Sequence, residues 1–195
     1  MTTRNWIRAA LTLALLSVQP LAQAATGEPA YLFRTERVNP LEGSPFTLYR
    51  LRVEQVEFLF VPPPGWSVKY DPDKKTATLL APDLDGGVTL NIEFGEEEGS
   101  SAIHGEQLKS RILSRYKGAR RLREYRRPVA GVECVGYEFD RPVDNDLLAS
   151  FRVVQLAFSG GKVEFEMNSS SRTFAGFDPL FSVFLGSVRI QRAAR

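Results

Sequence analysis

FSGGKVEFEMNSSSRTFAGFDPLFSVFLGSVRI, from Phe158 to Ile190, changes its hydrophobic period once. Gly160 and Gly161 provide a tight turn, because glycine takes positive φ at little cost. Val163, Phe165 and Met167 then alternate with Glu164, Glu166 and Asn168, the period of a strand with one face inward. Ser169–Thr173 breaks that period, and a serine or Thr173 is placed to cap a helix. Phe174, Phe177, Phe181, Phe184, Leu185 and Val188 recur every three or four residues and make one apolar helix face. The two glycines are not a phosphate loop, which needs a wider glycine–lysine pattern. Strand, break and core-facing helix read as the closing half of a scaffold.

Upstream, Phe151–Phe158 is continuously apolar, as in a central strand covered on both sides. Asp140–Asp146 reads as a polar loop. Arg121–Arg127 and Val132–Phe139 read as strands joined by the PVAG turn, Pro128–Gly131. Ile103, Gln107, Leu108, Ile112 and Tyr116 trace a helical stripe stopped by Gly118. Val88, Leu90, Ile92 and Phe94 alternate with Thr89, Asn91 and Glu93. Thr76–Leu80 and Trp66–Tyr70 flank a DPDKK turn. Val56, Phe58 and Phe60 share a strand face that PPPGW, Pro62–Trp66, terminates. Residues 26–54 read as an N-terminal lead-in with room for an edge strand near Tyr31–Arg34. The fold expected is α+β, an antiparallel sheet flanked by helices, in one domain over residues 55–195.

The first 25 residues read as a secretory signal peptide. Arg4 and Arg8 precede the apolar run Ala10–Val18, and Ala22 and Ala24 give the small-x-small cleavage pattern. The run is too short to span a bilayer, and no transmembrane segment is expected in the mature chain. The expected location is the bacterial periplasm or exterior. Removing Arg4 and Arg8 leaves 23 basic and 23 acidic side chains, so the basic isoelectric point says nothing about DNA, and no nucleic-acid partner is expected. Cys134 is the only cysteine and cannot form an intramolecular bridge. Between Val132 and Val135 it reads as a small buried hydrophobe.

FLFVPPPGWSVKYD, DLDGGVTLNIEF, the helix ending SRYKG and the stretch from Phe158 to Ile190 follow an order that resembles the PsbP/Mog1-like family, and its bacterial exported relatives most. The resemblance spans roughly Gln55 to Ile190. It implies an α/β/α sandwich and a binding or accessory role rather than catalysis. It carries over no metal or docking residue, and no cofactor is expected.

His104 is the only histidine, so a multi-histidine metal site is excluded, and zinc would need Cys134 and carboxylates from distant segments. The Gly-x-Ser-x-Gly elbow of a serine hydrolase is missing. Asp71 with Asp73, Asp83 with Asp85, and Asp140 with Asp144 and Asp146 read as ordinary turn chemistry; calcium stays open as an alternative, although the closing glutamate of a calcium loop is missing. Glu93, Glu164 and Glu166 on strand faces keep open a hydrolase acting through paired carboxylates. A structural cell-envelope component is a third reading.

Lys109–Pro128, KSRILSRYKGARRLREYRRP, holds nine basic residues and one acid. It offers a basic surface for an unidentified protein or an anionic envelope ligand, with Arg120, Arg121, Arg123, Arg126 and Arg127 as the binding candidates. Its bland alternative is a solvated helix face and a charge-protected edge strand. Trp66, after three prolines, is a further binding candidate if exposed and a core residue if not. The function expected is that of an exported, non-catalytic binding or accessory protein.

Overall fold

The computed structural model describes residues 31–95, 101–144 and 147–193. The signal peptide expected over residues 1–25 lies outside them. Strands β1 (Tyr31–Val38), β2 (Phe46–Val53), β3 (Val56–Phe60) and β11 (Arg189–Arg192) form a four-stranded antiparallel sheet. The other seven strands form a second antiparallel sheet, in the order β4-β5-β6-β10-β9-β8-β7. These are β4 (Ser67–Asp71), β5 (Thr76–Leu80), β6 (Gly86–Phe94), β7 (Arg120–Val129), β8 (Val132–Asp144), β9 (Leu147–Phe158) and β10 (Gly161–Ser170). Helix α1 (Ser101–Arg115) follows β6, and α2 (Phe174–Ser187) follows β10.

Three expectations change. The lead-in carries β1 and β2, with Tyr49, Leu51 and Val53 alternating against Arg50 and Arg52 as in any half-buried strand. The polar loop expected at Asp140–Asp146 is largely strand, because β8 runs on to Asp144 and β9 starts at Leu147. The single sheet is two sheets.

The helices cover opposite faces of the large sheet. On one face Leu108, Ile112 and Tyr116 of α1 pack on Tyr137, Phe139, Phe151 and Val153. On the other, Phe177, Phe181, Phe184 and Leu185 of α2 join Phe58 and Phe60 of the small sheet over Leu90, Val154, Val163 and Phe165. The plain α/β/α sandwich is therefore modified, since α2 shares its face with a sheet. The apolar stripe of α2 is core, as its period requires, with Phe181 only 1% exposed. Thr173 is the N-cap residue of α2 but does not cap it with its side chain; the hydroxyl donates to Asp85 Oδ2 instead.

Candidate functional site

Part of the basic stretch is paired within the fold. Arg111 and Arg115 sit on the same side of α1, four residues apart and so on one helix face. Both reach down to β10. Arg111 Nη1 lies 3.3 Å from Glu93 Oε1 and 3.4 Å from Glu164 Oε2, and Arg115 Nη1 pairs with Glu164 Oε1. Lys109 pairs within the helix with Glu106 at 3.8 Å. On β7, residues of odd number from Arg123 to Arg127 point to the α2 face, because they stand opposite Glu138 to Cys134 in the ladder. Arg123 Nη2 donates to Glu138 Oε1 at 2.8 Å, and Arg152 donates to the other oxygen of Glu138 at 2.7 Å. Arg152 continues to Asp178 of α2, and Arg127 Nη1 meets the same carboxylate at 3.0 Å. Arg127 also donates to the Ser182 hydroxyl. This ladder of alternating charge ties β7, β8 and β9 to α2. Tyr125 lies under it, with Arg127 and Arg152 over its ring, and burial pushes its hydroxyl well above the ordinary tyrosine range.

Arg121 sits in the bulge of β7 with φ of 57° and reaches Asp140 at 3.5 Å. A bulge, Pro128 and a row of arginines are the devices that keep an edge strand from pairing at random, and β7 is an edge of the large sheet. Of the five arginine candidates, Arg127 is tied inward, while Arg121 and Arg123 pair at the surface with side chains 82% and 69% exposed. Arg120 and Arg126 are exposed and have no ion-pair partner among the described residues. Lys117, also exposed, joins them.

The carboxylates of β10 are engaged as well. Glu164 does not point outward to water: it is 1% exposed, capped by the two α1 arginines. Glu166 accepts a hydrogen bond from Tyr116 Oη. Burial raises its carboxyl above the usual range and Glu164 raises it further, while the Tyr116 bond works the other way. A retaining or inverting pair would need two carboxyls facing one reacting centre; these two face α1. Asp71 and Asp83 accept backbone N–H groups in their own turns, at 3.1 Å from Asp73 and 3.2 Å from Asp85. Asp140 accepts from Ser150 Oγ at 2.7 Å. Among the described residues no group of three or more metal-ligating side chains is placed to hold an ion. Cys134 is buried, its thiol pushed up to about 11 by desolvation, so its nucleophilic form is suppressed. His104 falls in the first turn of α1, with its side chain outside the described residues.

Trp66 is a core residue: it is 9% exposed, and its ring meets Phe177 edge-on at 5.7 Å. Its edge nevertheless borders a cavity of about 600 Å³ between the β1–β2 connection, the triple proline and α2. Phe46, Tyr49, Pro63, Trp66 and Val183 line it with Arg37 at the rim. Phe46 is 39% and Val183 71% exposed, so apolar surface stands open there. The sequence hid this groove because Phe46 lay in the supposed lead-in.

No family model matches the sequence, and no curated protein does. Solved structures similar to the chain include two from bacteria. The crystal structure of LpqN, described as involved in cell envelope biogenesis of Mycobacterium tuberculosis, covers 82% of this chain and 91% of its own, with 11% identity and a TM-score of 0.41. The solution structure of cyanobacterial PsbP (CyanoP) from Synechocystis sp. PCC 6803 covers 89% of this chain and 100% of its own, with 14% identity and a TM-score of 0.41. PsbP, which the sequence resembles, is thus among the structures similar to this chain, and neither likeness hands over a partner or a residue role.

Proposed function

We propose that the chain is an exported, non-catalytic binding or accessory protein that recognises a protein partner. The observation that carries this reading is the groove beside Trp66, where Phe46 and Val183 leave apolar side chains open to solvent around a cavity of about 600 Å³. Such a surface suits an apolar anchor, and Arg37 at its rim suits an acidic neighbour of that anchor. The basic component of recognition centres on Lys117, Arg120 and Arg126, with the exposed Arg121 and Arg123 beside them, all available for steering an acidic partner. Support also comes from the groups a hydrolase would use, since Glu164 and Glu166 are bound by Arg111, Arg115 and Tyr116. Among the described residues no helix is long and apolar enough to cross a membrane.

The test is photo-crosslinking from a residue beside the groove, in envelope extracts, followed by identification of what is attached. One recurrent partner is expected, lost in Val183→Asp and weakened in the Arg120→Glu, Arg126→Glu double variant. Equal capture by wild type and Val183→Asp removes the groove from the account.

A further inference from the structure

The ladder between β8 and β9 begins at Gly136↔Val154, although both strands run past that pair, β8 from Val132 and β9 to Phe158. β7 stays paired with β8 down to Val129↔Val132, and β10 stays paired with β9 through Gly161↔Phe158. The large sheet therefore opens into a wedge between Val132–Val135 and Gln155–Phe158. Tyr125 holds the apex. Its hydroxyl donates across Gly136 to Val153 O at 3.4 Å, and a Cβ on Gly136 would stand 2.6 Å from the tyrosine ring. Only glycine lets the ring cross there.

Two cavities meet in the wedge, of about 110 and about 370 Å³, sharing Val132, Leu156 and Ala157 as walls. The smaller reaches Gly105 of α1 and Gln155. Gln155 is 6% exposed, and neither its amide nitrogen nor its amide oxygen has a partner among the described residues. A buried donor and acceptor left open side by side call for a polar group that both gives and takes a hydrogen bond. The larger cavity lies on the opposite face, against Val56, Phe158, Ile190 and the outer edge of β11, with Arg189 and Arg192 at its rim. β11 pairs only with β3, so that edge is open. Glu133, in the smaller cavity, is the one acid among these walls.

We propose that the wedge takes an extended segment of a partner protein as an added strand. The proposal rests on the binding-protein reading and names the kind of segment bound. A strand sends successive side chains to opposite faces. Those on the α1 side carry an amide or hydroxyl for Gln155. Those on the other side are apolar, ending in an acidic group over Arg189 and Arg192. Main-chain groups of the segment pair with the open stretch of β9.

The test is amide hydrogen exchange on the full chain, with an acetylated octapeptide of alternating threonine and valine that ends in two glutamates. In the free protein, those amides of residues 155–158 that point away from β10 are expected to exchange at least tenfold faster than the amides of 151–154 that point the same way, and the peptide slows them at least tenfold. Arg192→Glu and Val132→Asp, both at exposed positions, are expected to weaken peptide binding at least tenfold with unchanged Tm. A peptide ending in two lysines gives no protection. Equal protection of those two sets of amides in the free chain means that the wedge is closed and overturns the proposal. So does peptide binding without added protection, or the lack of any binding. Protection that grows with protein concentration alone assigns the wedge to a second copy and equally overturns it. If Arg192→Glu and Val132→Asp still capture the crosslinked partner, the binding role stands and the wedge falls alone.

Discussion

On one face of β10, Val163, Phe165 and Met167 lie fully buried against α2 and the small sheet. On the other, Glu164 and Glu166 lie under α1 against Arg111, Arg115 and Tyr116. Both faces are covered, one by close-packed rings and one by matched charge. The first depends on volume and is indifferent to pH. The second depends on every charge keeping its partner, since removing one member leaves the other desolvated and alone.

The comparison can be broken at four points. Phe181→Ala removes a fully buried ring and is expected to cost about 3–5 kcal/mol in denaturant unfolding; a near-neutral value would mean that the α2 stripe is exposed. Glu164→Ala leaves Arg111 and Arg115 over a hole and is expected to cost about 2–3 kcal/mol, less than Phe181 because both arginines keep some access to water. Arg127→Glu sets an acid against Asp178 and is expected to cost about 1–2 kcal/mol, while the same reversal at Arg126 stays within about 0.5 kcal/mol. Equal losses at the two sites would show that the ladder to α2 contributes nothing.

The smallest effect is a pH effect. The folded chain holds the Glu166 proton more tightly than the unfolded chain, because burial raises its carboxyl. That contribution to stability is complete below the ordinary carboxylate pKa and is lost as pH rises through the raised folded value. Glu166→Gln keeps an acceptor for Tyr116 and removes the titration. It is expected to melt above wild type near neutral pH, with the gain vanishing at about pH 3, below the unfolded carboxylate value. A pH-independent difference would contradict the burial of this group.

Most of this fold could be read along the chain. β3, β6 and β10 show period two and both helices period 3.6, because each buries one face, while β9 shows as an apolar run and β4, β5 and β7 through the turns beside them. β2 carried the same signal in Tyr49, Leu51 and Val53, but prolines and charges before it disguised the segment as a lead-in. β11 is four residues with one half-buried side chain, too short to show a period. The charge pairs were illegible because they join residues far apart in sequence: Arg115 with Glu164, Arg127 with Asp178. Part of the basic run is therefore spent inward, at Arg111, Arg115 and Arg127, while Lys117, Arg120, Arg121, Arg123 and Arg126 stay exposed. Trp66 was read both ways, and the T-shaped contact with Phe177 decides for the core.

The central claim is that recognition sits at the groove beside Trp66 and that the buried carboxylates only hold α1 in place. Crosslinked partner capture by Val183→Asp and by Glu166→Gln, measured side by side with their melting temperatures, tests it most directly. The account predicts that Val183→Asp loses capture at unchanged stability while Glu166→Gln captures as well as wild type. Capture that survives Val183→Asp and disappears in a fully folded Glu166→Gln would move the working site to the carboxylates and contradict the account.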